Sequence, residues 1–359
     1  MLYKNVCIEG FTYHLPDDVI TSDEIERRLA PLYSRLKLPE GRLELITSVR
    51  RRHLWPEGTM PGEVSAKTVR KALGEAGVDP EKVGCLVHGS VCRDYLEPAT
   101  ACGVHRAAGL PDGCLVYDVS NACLGLLNGM VQIANMIELG QIEAGVAVGT
   151  ENSRPLLETT IQRLNADTSF TRKDIKRVIA SLTIGSASAA VVLCHKDISR
   201  KGNRLLGGTA LSNTAFCHLC RSDESDAAGS GMEPLMWTDS ETLMREGIAL
   251  AQRAFDRFLT ELGWTRQDIA RTFCHQVGKT HSKLLFESLG VDPAVDFSTV
   301  ETLGNTGSAA LPSAAALGIE QGAVRPGDNV ALLGIGSGIN VLMLGARWGG
   351  DERRGEATD

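Results

Sequence analysis

One order of elements occurs twice in this sequence, and the repeat limits the folds that the chain can adopt. In the first half, a helix ends at Leu139-Gly140 and leads through a turn into the apolar strand 142–149. In the second half, a helix ends at Gln321-Gly322 and again leads through a turn into an apolar strand, 329–334. Helices that alternate with apolar strands are typical of α/β proteins with buried, largely parallel strands. We therefore predict two similar α/β halves that meet near residues 198–206.

The same alternation extends over most of the chain. Glycines follow several of the predicted helices, as they do at helix C-caps. The further elements that we predict are the helices 61–76, 242–262 and 312–321 and the strands 83–89 and 269–277. The predicted boundaries are 1–200 for the N-terminal half, 201–348 for the C-terminal half and 349–359 for a polar tail, with a surface loop at 221–232.

Composition excludes several classes of protein. The 359 residues are 43% hydrophobic, so the chain has enough apolar material for a large core. A net charge of −7 and a pI near 5.7 argue against a nucleic-acid-binding protein, which would show a basic surface. The most apolar run, 178–194, is interrupted by polar residues and is interpreted as a buried strand with its turn, not as a membrane span. The amino end shows no targeting signal, so we expect a cytoplasmic protein without integral membrane association.

Ten cysteines in such a protein predict reduced thiols and not a disulfide framework. Cys217 and Cys220 have C-x-x-C spacing, but no second pair completes a zinc site, and we predict no metal. Most cysteines are expected to be small core residues. The remaining question is whether one of them is a nucleophile.

Cys123 is the candidate nucleophile. It follows the strand that ends near Asp118, and we predict that it lies in the first turn of a long, buried helix that runs to Ile137. Unpaired backbone N–H groups and the positive end of the helix dipole favour a thiolate at such a position. The alternative interpretation of this segment alone is an ordinary core cysteine.

Two further segments complete a possible acyl-transfer site. His275 is predicted at the carboxyl end of a strand, where the active sites of α/β proteins gather. Asn305 lies in the glycine-flanked turn 304–307, just before a helix. Taken singly, a core histidine and a turn-forming asparagine explain these residues equally well. Together with Cys123 they supply a nucleophile, an imidazole and an amide donor.

The three motifs, in this order, resemble the Cys-His-Asn triad of ketoacyl synthase III (the FabH type) within the thiolase superfamily. The resemblance extends to segment 46–53 near the start and segment 333–338 near the end. It implies a thiolase fold, with two duplicated halves in five αβαβα layers, and a homodimer. It also implies that Cys123 carries an acyl group and that His275 and Asn305 hold the thioester oxygen of the second substrate. The backbone N–H groups of Cys123 and Ser337 would form the oxyanion hole.

The residue at position 97 separates the subgroups of this family. Where ketoacyl synthase III has an apolar residue in a loop that enters the partner's pocket, this chain has Glu97 within segment 93–100. The Tyr-Leu-Glu-Pro sequence of that segment is similar to the olefin-pathway acyl-CoA condensing enzymes (the OleA type). The resemblance implies that Glu97 acts in the partner subunit as the base that removes an α-proton. A decarboxylating synthase needs no such base, because loss of CO2 forms its enolate. The alternative interpretation is that Glu97 is an ordinary exposed glutamate in a surface loop.

The predicted reaction is a non-decarboxylative Claisen condensation of two fatty acyl-CoA molecules that yields a 2-alkyl-3-keto acid. Acyl-CoA is the expected partner, with acyl carrier protein as another possible donor, and no cofactor is predicted. A decarboxylating synthase that uses malonyl-acyl carrier protein is the first alternative. Acyl transfer to a hydroxyl or an amine is the second, and a non-catalytic thiolase-fold subunit is the third. A dinucleotide-binding protein is disfavoured, because the glycines at 334–338 open no helix.

Overall fold

The computed structural model describes residues 1–222 and 236–349. These residues form thirteen strands and twelve α-helices. The strands are β1 (Val6–His14), β2 (Val19–Thr21), β3 (Arg51–His53), β4 (Val83–His88), β5 (Leu115–Asp118), β6 (Ala144–Glu151), β7 (Ala187–His195), β8 (Arg204–Ser212), β9 (Cys220–Ser222), β10 (Met236–Thr238), β11 (Ile269–Cys274), β12 (Asn329–Gly336) and β13 (Asn340–Arg347). The helices are α1 (Ser22–Arg28), α2 (Ala30–Leu36), α3 (Arg42–Thr47), α4 (Pro61–Ala76), α5 (Thr100–Ala108), α6 (Gly125–Glu138), α7 (Arg154–Ala166), α8 (Arg172–Val178), α9 (Ser240–Leu262), α10 (Lys279–Leu289), α11 (Val300–Leu303) and α12 (Ala310–Glu320).

Strand pairing repeats between the two halves. The order in the large sheet is β11-β12-β13-β8-β1-β7-β6-β4-β5. In the first half, β4 and β6 are parallel, and β7 and then β1 follow antiparallel. In the second half, β11 and β12 are parallel, and β13 and then β8 follow antiparallel. The predicted duplication is confirmed, with β6 and β12 as equivalent strands, whereas the division between residues 200 and 201 stays a prediction.

The helices and strands form the five layers that the thiolase fold implies. The buried central helices α6 and α12 pack between the strands of the two halves in one apolar core, where Met130 and Leu311 meet Val191 and Leu332. Helices α4 and α5 cover the outer face of the first half, and α9 and α10 cover that of the second. Most of α6 and α12 is buried in this central layer, although Gln132 and Asn135 of α6 are exposed in the single chain.

Several predicted boundaries are confirmed by the backbone. Gly77 and Gly263 have φ of 62° and 67°, the left-handed conformation with which glycine ends a helix. The strand predicted at 142–149 is shifted by two residues, so that β6 ends at Glu151 and carries a carboxylate to its carboxyl end. The strand predicted at 269–277 is shorter, since β11 stops at Cys274 and His275 begins the next loop.

The segment proposed as a buried strand and turn at 178–194 is confirmed. It comprises a 3-10 turn, Ile179–Leu182, and β7, which is buried at all but its last position. In the described part of the chain, no helix is long and apolar enough to cross a membrane. The predicted surface loop 221–232 is wrong at its first two residues, which belong to β9, and the rest of it lies outside the described residues, as does the tail beyond Gly349.

Candidate active site

The amino ends of the two central helices meet, and Cys123 lies at this meeting point. Cys123 belongs to the 3-10 turn Ala122–Leu124, which continues into α6 at Gly125. A second 3-10 turn, Gly307–Ala309, leads into α12 in the same way. The two turns are in contact. The candidate nucleophile therefore lies next to the segment that carries Asn305.

The prediction that Cys123 lies in the first turn of an α-helix was wrong by a few residues. Ala122 has a φ of +44°, in the left-handed region that interrupts a right-handed helix, and regular α-helix begins only at Gly125. Sequence periodicity cannot detect this interruption, because Ala122 is an ordinary helix former.

The surroundings of Cys123 disfavour ionisation of its thiol. Burial above all, with further contributions from Glu151 and Cys220, raises its pKa to about 12. Hydrogen bonds from the backbone N–H groups of Cys123 and Ser337 to the sulfur act in the opposite direction but are outweighed. Desolvation therefore opposes the stabilisation of a thiolate that the helix end was expected to provide, and the role of Cys123 as the nucleophile stays a prediction. The two N–H groups are the pair that the resemblance assigned to the oxyanion hole.

The turn that carries Ser337 approaches Cys123 closely because glycine precedes it. A Cβ atom on Gly336 would lie 3.1 Å from Cγ of Leu124 and 3.6 Å from Cβ of Cys123. The Nδ2 group of Asn340 donates to the Ser337 carbonyl (3.2 Å) and to Oδ1 of Asn121 (3.0 Å), which ties this turn to the residues before Cys123.

The glycine-rich segment joins β12 to β13 and opens no helix. A dinucleotide-binding turn has to lead into a helix, whose amino end receives the phosphates. The structure is thus consistent with the exclusion of that class of protein.

His275 follows β11 directly, beside the end of β12, and its backbone N–H donates to the Leu333 carbonyl (3.1 Å). Burial above all, with a contribution from the neighbouring His281, lowers the pKa of His275 to about 4. The imidazole is therefore neutral near pH 7, when one ring nitrogen can donate a hydrogen bond and the other can accept one.

Gln276 connects the histidine loop to the chain that leads to Asn305. Its Nε2 donates to the Phe297 carbonyl (2.9 Å), and its Oε1 accepts from the Thr299 backbone N–H (2.6 Å). Phe297 and Thr299 lie just before α11, which ends two residues before Asn305. These two hydrogen bonds join the histidine loop to the chain that leads to Asn305.

Asn305 is held by its backbone while its side-chain amide remains a donor. Its backbone N–H donates to the Thr183 carbonyl, and its carbonyl accepts from Gly185, both at 2.9 Å. Oδ1 accepts from the Gly307 backbone N–H at 3.0 Å. The NH2 group has no hydrogen-bond partner within residues 1–222 and 236–349. It is thus the part of the side chain that can bind a ligand oxygen.

Glu97 lies on a segment, residues 91–99, that projects from the single chain. Tyr95 and Leu96 are 61% and 82% exposed, and Glu97 is exposed as well. The carboxylate does not belong to the group around Cys123 of the same chain, where Glu151 is the carboxylate whose charge acts on the thiol. The role of Glu97 in a partner subunit stays a prediction.

Both ends of the Glu97 segment are fixed by carboxylates. The backbone N–H groups of Val91 and Cys92 donate to Glu151, at 3.1 and 3.3 Å. At the other end, those of Thr100 and Ala101 donate to Asp118, both at 2.9 Å. The segment is therefore an anchored projection and not a loose loop.

Glu151 and Cys220 are residues near the site to which sequence reasoning assigned no role. Glu151 is only 6% exposed, and its Oε1 also accepts from the backbone N–H and the hydroxyl of Ser308. A charged residue at the carboxyl end of an apolar strand was the signal that could have identified it. Cys220 begins β9 and brings a second thiol near Cys123, but nothing in its spacing from Cys217 indicated this.

Ligands to a metal ion do not assemble here. In the part of the chain that the structure describes, no group of three or more His, Cys, Asp or Glu side chains is arranged to hold a metal ion. All ten cysteines are free thiols.

Close packing around Gly185 positions the Asn305 turn. A Cβ atom at position 185 would lie 2.0 Å from the Leu303 carbonyl oxygen, so Gly185→Ala has to displace that backbone. We expect this variant to lose about 3 kcal/mol in free energy of unfolding, measured by denaturant titration. Gly103→Ala is the matched control, because its Cβ atom would meet nothing within 4 Å on an exposed helix position. The control should be as stable as wild type or more so, and an equally stable Gly185→Ala would contradict the packing argument.

Acid is expected to destabilise the fold through two half-buried histidines whose surroundings disfavour the charged form. Burial lowers the pKa of both His275 and His281 from 6.5 to about 4. In the unfolded chain these residues bind protons near pH 6.5, so their contribution to stability is present above that pH and is lost as the pH falls towards 4. The melting temperature should therefore fall through this window, with a shallower slope in His281→Gln than in the exposed control His218→Gln. Identical slopes in the two variants would refute this explanation.

Comparison with known proteins agrees with the geometry. Residues 50–201 match the thiolase N-terminal domain family, and residues 259–348 match the C-terminal domain family of 3-oxoacyl-[acyl-carrier-protein] synthase III. An acyl-CoA:acyl-CoA alkyltransferase of Shewanella oneidensis is 38% identical over 97% of this chain and 100% of its own length. Another, from Xanthomonas campestris, is 35% identical over the same shares of the two chains. A β-ketoacyl-[acyl-carrier-protein] synthase III of Pseudomonas aeruginosa is 26% identical over 94% of this chain and 95% of its own.

Solved structures show the same likeness. Cerulenin-bound Xanthomonas campestris OleA superimposes with a TM-score of 0.91 at 35% identity and covers 97% of this chain and 98% of its own. A structure of that protein with bound lauric acid and lauroyl-CoA has a TM-score of 0.90 at 34% identity, over 97% and 100% of the two chains.

The fold and the family matches define a condensing enzyme of the thiolase superfamily. Within that superfamily, the chain belongs to the family of the OleA-type acyl-CoA:acyl-CoA alkyltransferases.

Proposed function

We propose that this enzyme joins two fatty acyl-CoA molecules head to head, without loss of CO2 from the second substrate, to give a 2-alkyl-3-ketoacyl thioester that is hydrolysed to the β-keto acid. The full-length relatives named acyl-CoA:acyl-CoA alkyltransferase support this reaction. The observation on which the proposal depends most is a carboxylate, Glu97, on an exposed and anchored segment where a decarboxylating synthase needs none.

Acylation is the first step. The Cys123 thiol attacks the thioester carbon of the first acyl-CoA, the bond from that carbon to the CoA sulfur breaks, and CoA leaves as its thiol. A proton has to leave Cys123, because its pKa is near 12 in the free protein. The neutral imidazole of His275 is a suitable acceptor. The N–H groups of Cys123 and Ser337 stabilise the tetrahedral oxyanion.

Condensation is the second step. Glu97 of the partner subunit removes an α-proton from the second acyl-CoA, and the enolate oxygen accepts hydrogen bonds from His275 and from the Asn305 amide. The enolate carbon attacks the acyl-Cys123 carbonyl carbon. The carbon–sulfur bond then breaks, and Cys123 leaves as a thiolate that regains a proton. The NH2 group of Asn305 is suited to this role, since among the residues that the structure describes only the side-chain oxygen of Asn305 is hydrogen-bonded.

A homodimer follows from this scheme. Tyr95 and Leu96 flank Glu97 and are 61% and 82% exposed in the single chain. Apolar side chains grouped on a projecting segment are costly in water, and burial against a second copy would remove that cost. Insertion of the segment into the partner would also bring Glu97 to the second substrate.

The remaining parts of the proposal concern donor, cofactor and compartment. We infer CoA thioesters as the donors, with acyl carrier protein as the alternative that the synthase III relatives suggest. The scheme uses only side chains, backbone donors and the activation already present in a thioester, so it requires no cofactor. Ten free thiols suit the reducing cytoplasm.

The decisive experiment is incubation of the purified protein with myristoyl-CoA alone. Head-to-head condensation gives a β-keto acid that loses CO2 to form the symmetrical twenty-seven-carbon ketone, which mass spectrometry detects together with free CoA. If Cys123 only becomes acylated, and product appears after a malonyl thioester is added, the enzyme is a decarboxylating synthase. If product appears only with an added alcohol or amine, it transfers acyl groups without forming a carbon–carbon bond.

A further inference from the structure

Glu151 accepts four hydrogen bonds inside the protein. The donors are the backbone N–H groups of Val91 and Cys92, at 3.1 and 3.3 Å, and the backbone N–H and hydroxyl of Ser308, at 3.1 and 2.6 Å. The residue is 6% exposed. A buried carboxylate is costly unless its oxygens are satisfied by donors, and here four donors from two segments converge on it.

The two segments are those that carry the groups for the condensation step. Val91 and Cys92 begin the segment that bears Glu97. Ser308 lies three residues after Asn305. Between them, the backbone N–H of Gly307 donates a hydrogen bond to Oδ1 of Asn305. Gly307 itself lies against the carboxylate, since a Cβ atom there would be 3.0 Å from three atoms of the Glu151 side chain. One side chain thus sets the distance between the base of the Glu97 segment and the Asn305 turn.

We propose that Glu151 is a positioning residue for carbon–carbon bond formation, which aligns the Asn305 amide of its own site and the Glu97 segment that its subunit presents to the partner. This inference rests on the proposed function for its Glu97 part, whereas its Asn305 part applies to any Claisen condensation at Cys123. Because one carboxylate holds parts of two active sites, it links the geometry of one site to that of the other in a dimer.

Glu151→Gln separates positioning from general stability. Glutamine keeps the shape, but its NH2 group faces N–H donors where a carboxylate oxygen accepted. Glu26→Gln is the matched control, because Glu26 is also buried and accepts from two backbone N–H groups, Gly41 and Leu43, and from the Tyr33 hydroxyl, in a separate part of the fold.

Condensation and acylation are expected to separate in Glu151→Gln. The rate at which myristoyl-CoA acylates Cys123, monitored by intact protein mass and by CoA release, should stay within about threefold of wild type. The rate of ketone formation should fall about 100-fold, which is the cost of a misaligned reacting group. Acyl-enzyme should therefore accumulate. Glu26→Gln should form ketone and acyl-enzyme in the wild-type ratio, even where it unfolds more easily.

A second measurement detects the charge of Glu151 directly. Because that charge raises the pKa of Cys123, Glu151→Gln should shift the pH profile of iodoacetamide alkylation of Cys123 to lower pH, with a rate at pH 8 about 3- to 10-fold above wild type. Glu26→Gln should leave the profile unchanged. Ser308→Ala removes one of the four hydrogen bonds but keeps the charge of Glu151, so this variant should slow condensation about tenfold without shifting the alkylation profile. It replaces Glu151→Gln as the test if Glu151→Gln does not fold.

Two results would overturn the inference. One is ketone formation by Glu151→Gln or Ser308→Ala at the rate of Glu26→Gln. The other is a parallel fall of acylation and condensation with an unshifted alkylation profile, which would make Glu151 a structural residue only. If wild-type protein condenses only with a malonyl thioester, the proposed function is refuted. The same variants are then compared in the decarboxylating reaction, in which Asn305 would still hold the enolate oxygen.

Discussion

Glu97→Ala is expected to lower ketone formation from myristoyl-CoA about 1000-fold while Cys123 still becomes acylated. Loss of a general base costs about two to four orders of magnitude in the step that it serves. Acylation should continue, because Glu97 is exposed and its charge is not among those that act on Cys123 in the single chain. The exposed Glu57→Ala is the control and should condense at the wild-type rate. Product with malonyl thioester should be largely unaffected in both variants, because decarboxylation replaces the base.

A mixed dimer tests whether Glu97 acts on the partner subunit. Cys123→Ala and Glu97→Ala are each inactive in condensation alone, but a dimer of one subunit of each contains one site with both wild-type residues if Glu97 acts across the interface. With random exchange, half of the dimers are mixed and half of their sites work, so about a quarter of wild-type activity should return. Mixtures that stay inactive although exchange is demonstrated would place Glu97 in its own subunit or outside the reaction.

Asn305→Asp is expected to lower condensation about 1000-fold with little change in acylation. Aspartate retains the Oδ atom that accepts from the Gly307 N–H, so the turn keeps its hydrogen bond. It replaces the NH2 donor with a carboxylate, which withdraws one hydrogen bond from the enolate oxygen and adds a like charge beside it. Removal of a single oxyanion donor costs about two to three orders of magnitude, and the repulsion adds to this.

The control for the added charge is Asn329→Asp. The side chain of Asn329 accepts a hydrogen bond from Arg347 through Oδ1, at the start of β12, and this contact is retained by aspartate. The Asn329→Asp variant should condense myristoyl-CoA at the wild-type rate. If Asn305→Asp condenses normally, another donor holds the enolate, and if it fails to become acylated, Asn305 serves the first step or the fold.

Much of the fold was predictable because local rules act on short segments. The capping glycines Gly77 and Gly263 located two helix ends to the residue, and the repeated helix-turn-strand pattern identified β6 and β12 as equivalent. Strand boundaries were less accurate. The end of β6 was placed two residues early, which left Glu151 in a loop instead of at the carboxyl end of the strand.

Cys123, His275 and Asn305 were predicted from their order and from the family resemblance, and the structure brings their segments together. The surroundings of these side chains could not be predicted from the sequence. For Cys123, the sequence argument considered the helix end without the burial and the Glu151 charge, both of which raise the pKa of its thiol. Burial of a thiol and the approach of a charge from another strand depend on distant parts of the chain, which no local pattern encodes.

The sequence by itself therefore determined the α/β class and the duplication, because these follow from periodicity and caps, and it supplied the prediction of the triad and of Glu97 through residue type and family resemblance. Only the tertiary structure decided that burial raises the pKa of the Cys123 thiol, that Gln276 ties the His275 loop to the chain before Asn305, and that Glu151 holds the Glu97 segment and the Asn305 turn together. The physical reason is that hydrogen bonds and desolvation act between atoms that are near in space, whatever their separation along the chain.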